Sequence, residues 1–190
     1  MKVNLSEYDP NWTLTFQKEE KKLHSILNDL DHVIEHIGST SIEGLSAKPI
    51  IDIMIGLKDE TLLDIAAEKL AVKPYIYVST YNKEIPFRRF FIGVKNTSIK
   101  NYPTIMTEDN IVEVQHENRK SHIHVVPLHS NWWNDHILFR DYLRVSRTER
   151  LQYEQLKKEL SVRNWNNGNE YASAKSDCIM EILERARSDK

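Results

Sequence analysis

Asp9, Pro10, Asn11 and Trp12 form a helix-start pattern, in which the Asp carboxylate accepts an orphan backbone amide and Pro sits where no amide donor is needed. Phe16, Leu23, Leu27 and Leu30 then recur on one stripe, which predicts an amphipathic helix ending near Asp31. Val33, Ile34 and Ile37 make a short segment rich in β-branched types, Gly38-Ser39-Thr40-Ser41 breaks it, and residues 50–57 resume it strongly, giving strand, turn, strand. Leu62, Leu63, Ala66, Ala67 and Leu70 have the spacing of a second helix that covers one face of that sheet. Residues 75–79 and 87–94 read as further strands. Residues 95–110 are polar and contain Pro103, which predicts a loop of a length that suits a mobile lid or an excursion. Residues 111–115 and 122–126 return to strand-like composition across a hairpin connection at 117–120. Beyond Asn131 the period becomes helical, carried by Ile137, Leu138, Tyr142 and Val145, by Leu151, Leu156 and Leu160, and by Ile179, Ile182, Leu183 and Ala186. The chain thus divides softly into a core over residues 1–130 and a helical region over residues 131–190, packed together as one unit.

Composition narrows the function classes. A chain of 190 residues suits one domain with appended helices, and a fold of that size needs no disulfide or metal staple, so the single cysteine, Cys178, carries no structural duty. A lone cysteine is compatible with a reducing cytosol. With 26 Lys plus Arg against 28 Asp plus Glu, the net charge of −2 supplies no general field for nucleic acid, and no recognition motif for it is visible. Residues 1–10 carry Asn4, Ser6, Glu7 and Asp9 where a secretion signal has basic and then apolar residues, and no apolar run approaches the ~20 residues of a membrane helix. A cytoplasmic protein with no membrane partner and no specific nucleic-acid partner is expected.

Candidate chemistry concentrates around the Gly38-Ser39 turn. Glycine lets backbone amides approach a phosphate closely, and the serine hydroxyl adds a donor. Asp52 stands among Ile50, Ile51, Ile53 and Ile55, where a charge requires water, a metal or a partner. Strand alternation places His122 and His124 on one side. If Asp52 faces that side too, the three suit Zn²⁺ or Mn²⁺; otherwise the histidines are hydrogen-bonded strand residues beside the turn. His36, next to the turn, is an additional candidate. Arg88 and Arg89 point to opposite faces, so at most one enters a cleft, where its planar fork suits phosphate, and Lys48 approaches the same anionic site. Tyr153 with Lys157, and Tyr171 with Lys175, are i, i+4 pairs that either close over a nucleotide or pack a lysine stem on a ring. His24, His32, His129 and His136 read as surface or capping residues, and Trp132 and Trp133 as anchors of the C-terminal helices. No Gly-x-x-x-x-Gly-Lys-Ser/Thr loop is present, so no kinase activity is expected.

The stretch Glu35-His36-Ile37-Gly38-Ser39-Thr40-Ser41-Ile42-Glu43-Gly44-Leu45, followed by Lys48-Pro49-Ile50-Ile51-Asp52, resembles the GrpB family, also called UPF0157. Tyr8-Asp9-Pro10-Asn11-Trp12, Arg88-Arg89-Phe90-Phe91, His122-Ile123-His124-Val125 and Phe139-Arg140-Asp141-Tyr142-Leu143 extend the resemblance in order over nearly the whole chain. The family is similar to the nucleotidyltransferase superfamily. That implies an α+β, nucleotidyltransferase-like (polymerase-beta-like) mixed sheet with flanking helices and a helical C-terminal region. It also implies a phosphate-facing turn at Gly38 and Ser39, with Ser41 in the same motif, and a nucleotide or other phosphorylated small molecule as ligand. In active nucleotidyltransferases two carboxylates two positions apart, with a third on a neighbouring strand, hold two Mg²⁺ ions. Asp52 matches the first; Met54 occupies the second and cannot ligate a hard cation; His122 and His124 occupy the third, with Glu113 as the nearest substitute.

Three functions stay open. The first is metal-dependent nucleotidyl transfer to a small molecule or protein, with Asp52, His122 and His124 catalytic and metal-binding. There, Gly38, Ser39, Ser41 and Lys48, with Arg88, Arg89 and Lys175, would hold phosphate. The second is a non-catalytic binding module with a degenerate site. The third is a Zn²⁺ or Mn²⁺ phosphoesterase built on Asp52, His122 and His124.

Overall fold

The apolar stripe at the start of the chain becomes helix α1 (Asn11–Ile26) in the computed structural model of the protein, which describes residues 2–189 and, at Ser98, the backbone alone. Asp9 accepts from the Asn11 amide at 2.9 Å, as the helix-start pattern predicts. The helix stops at Ile26, short of Asp31, and Leu30 packs from the turn that follows. The chain continues through β1 (His32–Ile37), a 3-10 turn at Ser39–Ser41, β2 (Ile51–Leu57), α2 (Leu63–Leu70), β3 (Tyr75–Val78) and β4 (Arg89–Val94). After a 3-10 turn at Asn96–Asn101 come β5 (Ile105–Met106), β6 (Arg119–Pro127), α3 (Asn131–Val145), α4 (Arg147–Ser161), α5 (Gly168–Ser173) and α6 (Ser176–Ser188).

The six strands form one sheet in the order β1-β2-β6-β4-β3-β5. β2 runs parallel to β6 and β3 parallel to β5, and the other neighbours are antiparallel, so the sheet is mixed and the fold is α+β, as the resemblance implies. Register decides which side chains share a face. Asp52 lies opposite His122, and Met54 opposite His124; on the far side of β6, Ile92 pairs with His122 and Phe90 with His124. Ile51, Ile53, Ile55, Ile123, Val125 and Phe91 therefore point the other way, into a core closed by Trp12, Phe16 and Leu23 of α1 and Ala66 and Leu70 of α2. On the open face, Ile37, Met54 and Val126 pack on Trp133, while Ile42 and Leu45 pack on Leu143, Tyr153 and Ile182. The C-terminal helices thus cover part of the open face and leave space beside it.

Two expectations from the pattern fail. Residues 111–115 form no strand: β6 already has β2 on one side and β4 on the other, so it has no free edge for a hairpin partner. Val114 is buried with Ile76, Phe90 and Ile92, while Ile111 and Val112 stay exposed. The polar loop at 95–110 contains edge strand β5 and a 3-10 turn. Among the described residues no helix is long and apolar enough to cross a membrane.

Candidate functional site

The open face, the turn after β1 and the C-terminal helices enclose a cavity of about 730 Å³. Its floor begins at Gly38, whose φ of +69° lies in the region that only glycine adopts freely. A Cβ there would collide with the Asp52 carboxylate, so glycine is what allows the turn to pass over that group. Ser39 lines the cavity, and its Oγ accepts from Lys157 Nζ at 3.1 Å. Ser41, expected to bind phosphate, instead donates its hydroxyl to the Gly38 carbonyl at 2.7 Å and closes the turn; it does not line the cavity.

Asp52 and His122 meet as the register requires, with Oδ1 3.1 Å from Nδ1. The other ring nitrogen of His122 lies 3.3 Å from Arg119 Nη1. A guanidinium only donates and a carboxylate only accepts, so these partners select one tautomer, in which Nδ1–H donates to Asp52 and Nε2 accepts from Arg119. His124 shares the face but turns to other neighbours, with Nδ1 3.5 Å from Arg88 Nη1 and its ring against Phe90 and Trp132. Desolvation, reinforced by the Arg88 charge, pushes this imidazole well below its ordinary range and keeps it neutral.

Five cationic side chains stand among the apolar residues of the rest of the wall. Lys48 and Lys175 approach the Tyr171 ring at 4.5 and 4.6 Å from its centroid, and Lys157 lies 5.1 Å from that of Tyr153. Among the described residues none of Lys48, Arg88, Arg119, Lys157 and Lys175 has a carboxylate ion-pair partner. Burial, then the charge of Lys175, pulls Lys157 down to about 7 and Lys48 to about 8. Burial also lowers Lys175, Arg88 and Arg119, and the Arg88 Nε is buried without a hydrogen-bond partner among the described residues. His116, on the loop over the cavity, is pushed to about 4 by burial and the charges of Lys48 and Arg119.

The adjacent arginines part as alternation requires: Arg88 enters the cavity and Arg89 does not. Arg89 crosses to the closed face, where its Nε donates to Asp64 at 2.7 Å and its Nη1 to the Pro86 carbonyl at 2.6 Å, so it drops out of the phosphate-binding set. His36 also belongs to the closed face, stacked 4.7 Å from Phe16 and 3.0 Å from the Thr40 hydroxyl, with burial pushing it to about 4.

Several cavity residues escaped the sequence pattern. Arg119 does so because the register shifts where β6 meets Gly93 and Val94, which reverses simple parity; Lys120 goes to Glu19 on the closed side, and Arg119 to the cavity. His136, expected at the surface, lines the cavity with its ring 3.6 Å from that of Trp132, so of the two tryptophans only Trp133 is a buried anchor. Arg140 is structural: it donates to Glu35 at 2.6 Å and to the His36 carbonyl at 3.0 Å.

The donor set does not fit the metal sites that the superfamily implies. Met54 fills the second carboxylate position and is fully buried, Glu113 is exposed on the loop, and His124 is turned to Arg88. Among the described residues no three His, Cys, Asp or Glu side chains group as a ligand set for Mg²⁺, Zn²⁺ or Mn²⁺.

The glutamate-rich protein GrpB of Alkalihalophilus pseudofirmus is 34% identical over 184 residues, covering 95% of this chain and 94% of that protein. A UPF0157 protein of Streptomyces coelicolor is 32% identical, covering 98% of this chain and 85% of its own length. The crystal structure of the conserved protein GrpB from Enterococcus faecalis superposes with a TM-score of 0.76 at 25% identity, covering 98% of both chains. The family profile described as GrpB protein matches residues 2–185, and the chain therefore belongs to the GrpB family.

Proposed function

We propose that the cavity binds a phosphorylated small molecule, a nucleotide among them, and that it does so through fixed protein cations. The observation that carries this reading is the convergence of Lys48, Lys157, Lys175, Arg88 and Arg119 on one cavity with no ion-pair partner among the described residues. Stacking unpaired cations in a partly desolvated space destabilises the free protein, and a polyanion removes that penalty when it binds. Asp52 is already engaged by His122, and among the described residues the other carboxylates of the lining, Glu113 and Asp135, come from the loop and from α3, so the sheet floor presents donors to an anion while one acceptor remains for a hydroxyl. Gly38 and Ser39 supply the close backbone approach that a phosphate requires.

Nucleotidyl transfer through paired metal ions would need a second oxygen ligand where Met54 stands, and a phosphoesterase on Asp52, His122 and His124 would need His124 released from Arg88. Binding without those metal ions is therefore the reading that the side chains favour. Isothermal titration with inorganic tripolyphosphate and with ATP, in EDTA and then with Mg²⁺, tests it. Expected is binding in EDTA that weakens about tenfold or more in Lys175→Met. Absence of binding in EDTA, or full retention of affinity in Lys48→Met and Lys175→Met together, overturns it.

A further inference from the structure

Ser39 stands at the tip of the turn that follows β1, facing the cavity, with its Oγ 3.1 Å from Lys157 Nζ. Lys157 arrives from α4, 118 residues away in the chain, and is only 2% exposed. Its polar partners are the Ser39 hydroxyl and the Ser46 carbonyl, with the Tyr153 ring beside it. A buried ammonium normally recruits a carboxylate, and among the described residues this one has no ion-pair partner. Burial, then the charge of Lys175, brings its protonation equilibrium to about 7, so a large share of the side chain is neutral amine at physiological pH. A neutral amine has two N–H bonds and one lone pair. With one N–H on the Ser46 carbonyl, the lone pair is available to the Ser39 hydroxyl proton.

The geometry points to Ser39 as a nucleophile with Lys157 as its general base, accepting a phosphoryl group from a phosphoric anhydride held by Lys48, Lys175 and Arg119. This rests on the reading of the cavity as a phosphate pocket. In the step, the Ser39 Oγ–P bond forms as the P–O bond to the leaving phosphate breaks. The Oγ proton passes to Lys157 Nζ, and the leaving phosphate departs as an anion toward the remaining cations. Water or a second hydroxyl then attacks phosphorus and passes its proton to a phosphoryl oxygen, the Oγ–P bond breaks, and Oγ regains the proton from Lys157. Positive side chains neutralise the phosphoryl oxygens, a task that divalent ions perform where a carboxylate pair is present. Tyr153, whose hydroxyl burial holds above its ordinary range, stays protonated beside Ser39.

A fluorophosphonate probe tests this without a known substrate, since attack by Ser39 forms Oγ–P, expels fluoride and delivers the proton to Lys157. The full chain is incubated with the probe in EDTA, and labelling is followed by intact mass and peptide mapping. Expected is a single label on Ser39, absent in Ser39→Ala and blocked by tripolyphosphate. Lys157→Met should slow labelling by about a hundredfold or more, and Lys157→Arg should not restore it, because a guanidinium cannot serve as base. The wild-type rate should rise through about pH 7, set by Lys157 within its surroundings of Tyr153, Glu154 and Lys158 on the same helix, Ser39 and Ser46 below, and Lys175 across the cavity. The profile should be flat in Lys157→Met. No label, a label elsewhere, or a wild-type rate with no rise across pH 7 overturns the inference, and the last holds even if the lysine variants fail to fold. Tripolyphosphate binding without Ser39 labelling leaves the phosphate pocket standing and removes the nucleophile; loss of both removes both.

Discussion

Strand β2 sends Ile51, Ile53 and Ile55 to one face of the sheet and Asp52 and Met54 to the other, and β6 divides Ile123 and Val125 from His122 and His124 in the same way. The two faces treat buried charge differently. The closed face holds Glu19, with no exposed surface, and surrounds it with Lys120 at 2.7 Å, Lys22 at 2.9 Å and the Tyr75 hydroxyl at 3.0 Å. Burial alone would raise that carboxyl, and the two lysines outweigh the effect and leave it below its ordinary range. The open face gathers lysines and arginines that have no ion-pair partner among the described residues, its own Asp52 being engaged by His122. A satisfied buried charge is architecture. Partly buried charges of one sign without an ion-pair partner add nothing to the stability of the fold, and that contrast is what the proposed ligand site rests on.

The strongest way to separate the faces is to damage the closed one. Ile53→Ala leaves a void beneath α1 and α2 and should cost about 2–5 kcal/mol in denaturant unfolding, with tripolyphosphate affinity of the folded fraction unchanged. A loss below about 1 kcal/mol would show that the closed core is not the anchor. At the boundary between the faces, Gly38→Ala forces a side chain against Asp52 in a left-handed backbone. It should cost about 1–3 kcal/mol and abolish tripolyphosphate binding as well; unchanged affinity would separate the turn from the pocket.

A third test uses pH. Lys157 and Lys48 have folded-state values of about 7 and about 8, below the ordinary 10.5, so the unfolded chain binds more protons in between. The ligand-free protein should therefore gain stability as pH rises from about 7 to 9.5, a gain reduced in Lys157→Met and suppressed by saturating tripolyphosphate. Urea unfolding at the two pH values measures it, and a fall in wild-type stability over that range would contradict the unpaired-cation account. The smallest effect is expected where a charge is paired at the surface. Asp64→Ala removes the exposed partner of Arg89 and should cost about 1 kcal/mol or less without changing tripolyphosphate affinity, whereas Arg88→Ala should weaken binding.

Much of the site was legible before the structure. Strand alternation placed His122 and His124 together, split Arg88 from Arg89, and left Asp52 in need of a partner, which proved to be His122. The Gly38-Ser39 turn and Lys48 and Lys175 also line the cavity. Arg119 was hidden by the register shift in β6, which no alternation rule anticipates. Lys157 was visible only as one of two tyrosine–lysine helix pairs, since that spacing is the same whether a lysine points to water or to a serine. The strand expected at residues 111–115 failed because strand propensity says nothing about whether a sheet edge is free.

Local rules act over a few residues, and they were enough to specify the alternating faces, the turn at Gly38-Ser39 and the likeness to the GrpB family. Which charges would be neutralised was decided only when distant segments met. Asp52 found His122 70 residues on, while Lys157 reached Ser39 across 118 residues and formed no ion pair among the described residues. Pairing and desolvation are through-space quantities set by the packing of helices on a sheet, and no periodicity along the chain encodes them.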